Sequence, residues 1–375
     1  MQPITDAGSL QSRLTTLGAP AAIGIDTEFL RERTYYAQLC LLQICSPDDA
    51  FCVDTLAEAG TDAAAVQALG AILGDPGCCK VVHAARQDLE VLWPQYGVVR
   101  NVFDTQLAAG LAGFAPQIGY ADLVQQLLQV HLHKDQTRTD WSRRPLSREQ
   151  IDYALEDVRY LIPVRDLLMQ RLQTLGRVPW FEEETLAAAR QNESLQVDPQ
   201  RAWQRVKGFG DLDPARQALA QQLAAWREQR AIRANRPRGW LLPDNALRDI
   251  VLAVPRNEAD LMAITELPEG IRRNSGAELL QLVAAAQVPQ PPPPLPRRAR
   301  PDPEYLALVS RLIDRVRQVA QQQQLAPELL ATRREVERLA GGAREGGALE
   351  GWRRAVIGDH LLPLLAAAPA ATTAE

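Results

Sequence analysis

The sequence predicts an α/β domain, in which helices flank a mixed sheet, followed by two small all-α helical domains. Short apolar runs alternate with helical patterns in the first part of the chain, whereas strand patterns are absent beyond about residue 200. A proline-rich stretch at 287–303 then separates two helical segments of similar size and composition. This similarity indicates a duplicated helical module.

Five segments of the α/β domain are predicted to be strands, because they are short, apolar and flanked by turn residues or charges. They are residues 21–28, 37–45, 50–54, 80–83 and 102–104. The helical patterns of this domain are residues 61–73, 85–96, 105–113, 120–130 and 148–175. We place the domain at residues 1–195.

Beyond the α/β domain only helices are predicted. A long pattern rich in Ala, Leu, Gln and Arg at 214–235, with shorter pieces after it, defines a first helical domain at 203–286. Prolines fix φ and donate no hydrogen bond, so residues 287–303 are predicted to be a stiff linker. Helical patterns at 304–322, 326–340 and 349–366 define a second helical domain at 304–370.

Composition excludes several classes of protein. The chain has 375 residues and a formal net charge of −5, which argues against a protein that binds nucleic acid through bulk positive charge. Five cysteines without a C-x-x-C pair predict neither a disulfide framework nor a zinc cage. Since the N-terminus lacks a signal-peptide pattern and no apolar stretch is long enough for a bilayer, we expect a cytoplasmic protein without membrane contacts.

Acidic residues occur at two places where a predicted strand ends or a helix begins. Asp26 and Glu28 are two residues apart at the end of a strand, so their side chains project from one face. Asp88 lies in the first turn of the helix predicted at 85–96, where the helix dipole favours an acid. Taken singly, each place also fits an ordinary polar strand end or helix start.

The helix predicted at 148–175 carries a third acidic group. Tyr153 and Asp157 are four residues apart and therefore lie one above the other, and Asp152 and Glu156 form another such pair. Periodicity does not choose between the two pairs. Together, the three places supply hard oxygen ligands that suit Mg²⁺ or Mn²⁺, and four carboxylates with a tyrosine are the equipment of two-metal phosphodiester hydrolysis.

These residues also carry a resemblance to a known family. Asp-Thr-Glu-Phe at 26–29, His-Ala-x-x-x-Asp-Leu at 83–89 and Tyr-Ala-x-x-Asp-Val at 153–158 resemble the three motifs of DEDD-type 3′–5′ exonucleases of the tyrosine subclass. The stretches Arg31–Gln43 and Arg138–Leu146 are similar to the ribonuclease D family. The helical C-terminus resembles two helicase-and-RNase-D C-terminal (HRDC) domains, so the resemblance covers almost the whole chain.

The resemblance implies a ribonuclease H-like sheet and an enzyme that trims RNA 3′ ends, those of tRNA precursors included, to release nucleoside 5′-monophosphates. It implies that Asp26, Glu28, Asp88 and Asp157 hold two divalent ions, Mg²⁺ or Mn²⁺. It also implies that Tyr153 orients the attacking water, which favours the Tyr153 and Asp157 pair over the alternative pair. A monomer is expected.

Four further residues are candidates for substrate contact, namely His83, Trp141, Arg143 and Arg144. An aromatic side chain beside basic ones is typical of a channel for a nucleic acid strand. The alternatives are a hydrogen-bonded histidine at a strand end and a turn anchored by a buried tryptophan.

A second basic stretch occurs in the first helical domain. Window 225–240 contains five arginines, one glutamate and the tryptophans Trp226 and Trp240. The arginines are residues 227, 230, 233, 236 and 238. This pattern predicts either contacts with RNA phosphates or a solvated helix face.

Two competing functions remain open from the sequence. A DNA 3′–5′ exonuclease would carry the same acidic motifs, because the metal ions contact only phosphate, although no polymerase region is present. A non-catalytic RNA-binding scaffold would use the helical domains alone. The complete acidic set argues against the scaffold, because an idle site has no need for mutually repelling carboxylates.

Overall fold

The structure is a computed structural model that describes residues 2–132, 139–193, 198–210, 212–286, 288 and 302–367. Contacts divide the chain into two compact units. The larger unit contains Met1–Glu28, Leu39–Glu193 and Ala299–Glu375, and the smaller unit contains Phe29–Gln38 and Ser194–Arg298. Most of the predicted linker at 287–303 lies outside the described residues, and the predicted domain boundaries stay a prediction.

Five strands form one mixed sheet, as predicted. They are β1 (Ala22–Leu30), β2 (Gln38–Cys45), β3 (Ala50–Asp54), β4 (Cys79–Val82) and β5 (Val102–Asp104). The spatial order is β3-β2-β1-β4-β5, in which β1, β4 and β5 are parallel while β2 and β3 are antiparallel. The catalytic candidates Asp26 and Glu28 therefore lie on the central strand.

The helices of the α/β domain are α1 (Ala7–Leu17), α2 (Glu58–Thr61), α3 (Ala63–Gly74), α4 (Arg86–Tyr96), α5 (Thr105–Leu111), α6 (Tyr120–Leu128), α7 (Arg148–Arg159), α8 (Leu161–Thr174) and α9 (Val178–Glu193). The helical patterns did not predict α1 or α9. Helix α1 contains two Ser and two Thr residues, which are weaker helix formers than Ala or Leu. Tertiary packing of Leu10 and Leu14 and a cap by Asp6, which accepts from the Ser9 N–H, stabilise it.

The prediction of a single helix at 148–175 is wrong, because the structure has two helices there, separated at Tyr160. Pro163 explains the division. Its ring has no N–H to donate to the carbonyl of Arg159 four residues earlier, and it clashes with that carbonyl. The chain therefore leaves α7 and begins α8 in a new direction after one residue.

The first helical domain contains a 3₁₀ turn (Pro199–Arg205), α10 (Pro214–Ala234), α11 (Arg238–Leu241), α12 (Asp244–Ala253), α13 (Glu258–Met262) and α14 (Glu269–Ala285). The hairpin segment Phe29–Gln38 belongs to the same unit. The Tyr35 hydroxyl donates to Glu228 Oε1 at 2.5 Å, and Asn235 Oδ1 accepts from the backbone N–H groups of Tyr35 and Tyr36. The sequence did not predict this attachment, since the partners are distant in the chain.

The second helical domain contains α15 (Pro303–Gln323), α16 (Pro327–Leu330), α17 (Arg333–Ala340), a 3₁₀ turn (Gly347–Leu349), α18 (Gly351–Arg353), a π-helical turn (Arg354–Gly358) and α19 (Asp359–Ala366). The patterns at 326–340 and 349–366 therefore do not form the continuous helices that were predicted. The first pattern is interrupted at Ala331, whose backbone is extended. Thr332 then caps α17, because its side chain accepts a hydrogen bond from the Glu335 N–H.

The second helical domain shares one hydrophobic core with the α/β domain. The rings of Trp180 and Trp352 stack with centroids 4.5 Å apart, and the Trp352 indole N–H donates to Glu184 Oε1 at 2.8 Å. Arg353 forms an ion pair with the same carboxylate. These helices are therefore part of the larger unit. None of the helices in the described ranges is long and apolar enough to span a membrane.

Gly24 allows close packing on β1 two residues before Asp26. A Cβ atom at Gly24 would lie 2.5 Å from Cys45 Sγ and 3.0 Å from the Cβ of Leu161. The Cys45 thiol in turn donates to the carbonyl of Val158 on α7. Gly24 thus lets β2 and the α7–α8 junction approach the central strand.

We predict that Gly24→Ala lowers the free energy of unfolding by about 1–3 kcal/mol, because an overpacked core must shift its neighbours. Denaturant unfolding measures this change. Gly70→Ala is the matched control, since its Cβ would meet only Tyr96 O at 3.6 Å and alanine favours the helix α3. Equal stability of Gly24→Ala and the wild type would contradict the packing described here.

Candidate active site

The central strand presents two carboxylates and one hydroxyl. Asp26 and Glu28 point from one face of β1 and are half-buried, while Thr27 between them is 5% exposed. The Thr27 hydroxyl donates to Asp88 Oδ1 at 2.5 Å. Asp88 lies in the first turn of α4 and is itself buried. Asp88 therefore lies next to the part of β1 that carries Asp26 and Glu28.

Helix α7 brings the third place to the same site. Its apolar residues are buried, and a capping box between Ser147 and Gln150 fixes its start. Asp157 faces the strand carboxylates, and the Tyr153 hydroxyl beside it lowers the pKa of its carboxyl against the larger effect of burial. Asp152 is instead exposed, with its carboxylate 3.6 Å from the Arg148 guanidinium. The structure thus turns the Tyr153 and Asp157 pair toward β1.

Asp26, Glu28 and Asp157 form a group that fits a divalent cation. Each offers one carboxylate oxygen, and these three oxygens all lie within 4.8 Å of one another. Carboxylate oxygens are the ligands that Mg²⁺ and Mn²⁺ prefer. The donor set is therefore suited to a divalent cation, while the identity of the ion and the assignment of individual ligands, Asp88 included, stay predictions.

Burial and mutual repulsion disfavour negative charge in this group. Burial first, and then the charges of Asp88, Asp157 and Glu28, raise the pKa of Asp26 well above its usual value. Burial and the charges of Asp157 and Asp88 raise the pKa of Glu28 to about 8. Burial raises the pKa of Asp157 to about 7 and that of Asp88 to about 6. A bound divalent cation would offset this repulsion and favour the ionised carboxylates.

Asp104 is a supporting residue that the sequence analysis missed. Its two carboxylate oxygens accept from the N–H groups of Ala84 and Ala85, each at 3.0 Å, and it also caps α5. Ala84 has a positive φ of 57°, so the turn before α4 needs this support. Asp104 thereby fixes the helix that carries Asp88. The sequence offered one signal for this role, because Asp104 stands between a predicted strand and a predicted helix, where an aspartate often caps the helix.

His83 is bound into the fold through both ring nitrogens. Nδ1 lies 2.9 Å from Thr105 Oγ1, and Nε2 lies 2.9 Å from the carbonyl oxygen of Ile118. Burial lowers the pKa of the imidazole. The structure shows the hydrogen-bonded strand-end histidine that the sequence left as an alternative, and contact with substrate stays a prediction.

Trp141 and Arg144 support the site from within the domain. Trp141 is 3% exposed, and its ring centroid lies 6.2 Å from that of Tyr153. The Arg144 guanidinium forms two hydrogen bonds to Asp54, at 2.5 and 2.6 Å, and a third to the carbonyl of Cys40. The structure therefore contains the buried-tryptophan turn, and contact of either residue with RNA stays a prediction.

Arg143 differs from its neighbours because its side chain is 85% exposed. Its guanidinium pairs with Asp140, with Nε 3.4 Å from the carboxylate, and surface pairs of this kind contribute little to stability. Of the four candidates for substrate contact, it offers the most surface. Arg138, at the start of this motif, lies outside the described residues.

Comparisons with known proteins identify relatives over the full chain. A family model described as 3'-5' exonuclease matches residues 1–173, and one described as HRDC domain matches residues 216–283. Proteins named ribonuclease D from Gluconacetobacter diazotrophicus and Granulibacter bethesdensis are 38% and 39% identical to this chain over 370 residues. Both alignments cover 96% of this chain, and they cover 92% and 91% of the respective relative.

A solved structure agrees over the same length. Escherichia coli RNase D, described as an exoribonuclease involved in structured RNA processing, superposes with a TM-score of 0.84 at 30% identity. The match covers 98% of this chain and 99% of that one. The likeness therefore includes the helical domains as well as the sheet.

The raised pKa values predict a pH-dependent response to cations. Because Glu28, Asp88 and Asp157 hold protons more tightly in the folded state, the cation-free protein loses stability as the pH rises from about 4 to about 8. Bound Mn²⁺ opposes this loss. We predict that Mn²⁺ raises the Tm more at about pH 8 than at about pH 5.

Thermal unfolding with EDTA or Mn²⁺ at both pH values checks this prediction. Asp157→Asn is the control, since it removes one charge of the group and should reduce the Mn²⁺-induced rise in Tm. An equal rise at both pH values would contradict the electrostatic account.

Proposed function

Because the chain belongs to the ribonuclease D family of 3′–5′ exoribonucleases, we propose that it trims the 3′ ends of structured RNAs, tRNA precursors among them. The proposed products are nucleoside 5′-monophosphates, released one at a time. The observation that carries the proposal is the group of Asp26, Glu28 and Asp157, whose oxygens converge within 4.8 Å. Crowded, half-buried carboxylates are what a site for cations and a phosphate requires.

The four carboxylates are proposed as ligands of two divalent cations, Mg²⁺ or Mn²⁺. Asp26, Glu28 and Asp157 would hold one cation, and Asp26 with Asp88 would hold the other. When bound, such cations neutralise phosphate charge and lower the pKa of water. The protein's own part is to keep these oxygens in place: the Thr27 hydroxyl orients Asp88, and the Tyr153 hydroxyl orients Asp157.

Tyr153 is proposed to act as a hydrogen-bond donor rather than as a base. Burial first, and then the charges of Asp157 and Glu28, raise the pKa of its phenol above the usual value. The hydroxyl therefore keeps its proton at neutral pH and can donate to a carboxylate or a water molecule. Trp141 packs beside its ring and limits the positions that the ring can adopt.

A basic surface on the first helical domain is proposed to contact RNA. Residues 229–243 contain four arginines and no acid, and Trp240 within them is 59% exposed. Arg227 does not belong to this surface, because it is buried and bonded to Asp244. Arg233, Arg236 and Trp240 are exposed, and they can meet phosphates and an unpaired base. The proposed RNA contact is therefore confined to exposed residues of the basic stretch at 225–240 that the sequence analysis singled out.

The state of the cysteines bears on the cellular location. All five cysteines are free, and four of them are buried, as suits a reducing compartment. We therefore propose a cytoplasmic location, and the monomer expected from the sequence stays a prediction.

Matched RNA and DNA strands test the proposed function. Incubation of 5′-labelled strands with Mg²⁺, Mn²⁺ or EDTA is expected to show stepwise, metal-dependent shortening of RNA. The released nucleotides are identified by chromatography. Shortening of DNA alone, or of RNA in EDTA, would contradict the proposal.

We predict that Asp26→Asn lowers the turnover of RNA by a factor on the order of 10³, because charge that stabilises the transition state is lost. Binding of RNA, measured by fluorescence anisotropy, should change little. Asp152→Asn is the matched control on the exposed side of α7 and should keep its activity. Near-normal turnover by Asp26→Asn would contradict the assignment.

We predict that Arg236→Ala weakens the binding of structured RNA and lowers the slope of log Kd against log salt by about 1. Trp240→Ala should weaken binding without this change in slope, since a stacked base carries no charge. Anisotropy titrations at several salt concentrations measure both effects. Arg317→Ala is the control, an exposed ion-paired arginine of the second helical domain. Equal losses for all three variants would contradict a localised surface.

A further inference from the structure

Gln43 is a polar exception within the apolar strand β2. Its side chain is fully buried, and neither Oε1 nor Nε2 has a hydrogen-bond partner among the described residues. A buried amide without partners costs about 1–3 kcal/mol. An apolar side chain of similar size would fill the space without this cost, so the amide needs a partner that justifies its position.

The side chain of Gln43 points to the same side of the sheet as the acidic group. Cys45 is two residues further along β2 and therefore shares a face with Gln43. Its thiol donates to the carbonyl of Val158 on α7, and its sulfur lies against Gly24 of β1. Asp26 is two residues beyond Gly24 on β1, so the two positions also share a face. Gln43 and Asp26 thus both face α7.

The register of the two strands brings Gln43 beside Asp26. Strands β1 and β2 are neighbours, and residues 31–37 between them are too few for a parallel crossover, so the pair is antiparallel. The contact of Gly24 with Cys45 makes Asp26, two residues further along β1, and Gln43, two residues earlier on β2, neighbours on the same face. Such neighbours have Cβ atoms about 4.5–5.5 Å apart when they are directly opposite and about 7–8 Å apart on the diagonal, and a glutamine side chain spans either distance. The amide is therefore within reach of the Asp26 carboxylate.

The charge of Asp26 also affects the pKa of Cys52, which lies on the other side of Gln43 in the sheet. Cys52 of β3 is the partner of Gln43 in the sheet. Burial raises the pKa of the Cys52 thiol to about 12, and the charges of Asp26 and Glu28 contribute to the rise. This agrees with the order Asp26, Gln43, Cys52 across three strands.

We propose that Gln43 is a positioning residue for Asp26, whose amide N–H donates to the Asp26 carboxylate, directly or through one water molecule, when that carboxylate binds a cation. The inference rests on the proposed function of the acidic group. One oxygen of Asp26 is then fixed by the amide, and the other stays directed toward Glu28 and Asp157. A carboxylate held in this way loses less rotational freedom when the cation binds.

Gln43→Met tests the proposal, because methionine keeps the length of the side chain and removes the amide. If the amide has only a structural role, Gln43→Met should have equal or higher stability and unchanged metal binding. A positioning amide predicts equal or higher Tm in EDTA together with a smaller rise in Tm on addition of Mn²⁺. It also predicts a kcat for a short RNA that falls by about 10–100-fold, with little change in KM.

Gln125→Met is the matched control, since Gln125 of α6 also has an unpartnered buried amide oxygen but lies outside the acidic group. It should leave kcat and the Mn²⁺ response unchanged. Gln43→Glu is the second variant, which keeps size and polarity but presents oxygens to Asp26, and it should lower kcat at least as strongly as Gln43→Met.

Wild-type kcat and an unchanged Mn²⁺-induced rise in Tm in both Gln43 variants would overturn the proposal. That outcome differs from a failure of the proposed function, in which the wild type itself would not shorten RNA. Calorimetric titration of the RNA-free protein with Mn²⁺ measures the metal affinity independently of turnover.

Discussion

The repulsion between crowded carboxylates at the end of the central strand is the interaction on which the rest of the structure depends. Asp26, Glu28 and Asp157 bring oxygens within 4.8 Å of one another, and Asp88 adds a fourth charge through its contact with Thr27. Burial raises the pKa of every member, and the charges of the other members add to this rise at Asp26 and Glu28, so without cations the group disfavours its ionised form. The fold must therefore hold these side chains together against their own repulsion until cations and phosphate arrive.

The surrounding elements supply that restraint from three directions. The central strand fixes Asp26 and Glu28, and Gly24 lets the α7–α8 junction pack closely enough for Asp157 to join them. Asp104 holds the turn before α4 and thereby the helix that carries Asp88. These supports are hydrogen bonds and close contacts of buried groups, which resist displacement more firmly than exposed ion pairs do. The site is thus prepared before any ligand binds.

The sequence predicted the sheet, its five strands and the acidic motifs, because strand length, alternation and motif spacing are local properties. It could not choose between the Tyr153 and Asp152 sides of α7, since the choice depends on which face packs against the sheet. It missed Asp104 and the attachment of Tyr35 to Glu228, whose partners are distant in the chain. It joined α7 to α8 because the apolar stripe continues through Pro163, although the backbone cannot. Local pattern therefore located the candidate acidic residues, while tertiary packing decided which side chains lie beside them.

The central claim is that the acidic group holds divalent cations, and anomalous diffraction from crystals of the protein grown with Mn²⁺ tests it most directly. Data collected near the manganese absorption edge locate the ions without reference to activity. The account predicts anomalous peaks in contact with the carboxylates of Asp26, Glu28 and Asp157, and their loss in crystals of Asp26→Asn. Fully occupied Mn²⁺ elsewhere in the protein, with no peak at these three carboxylates, would contradict it.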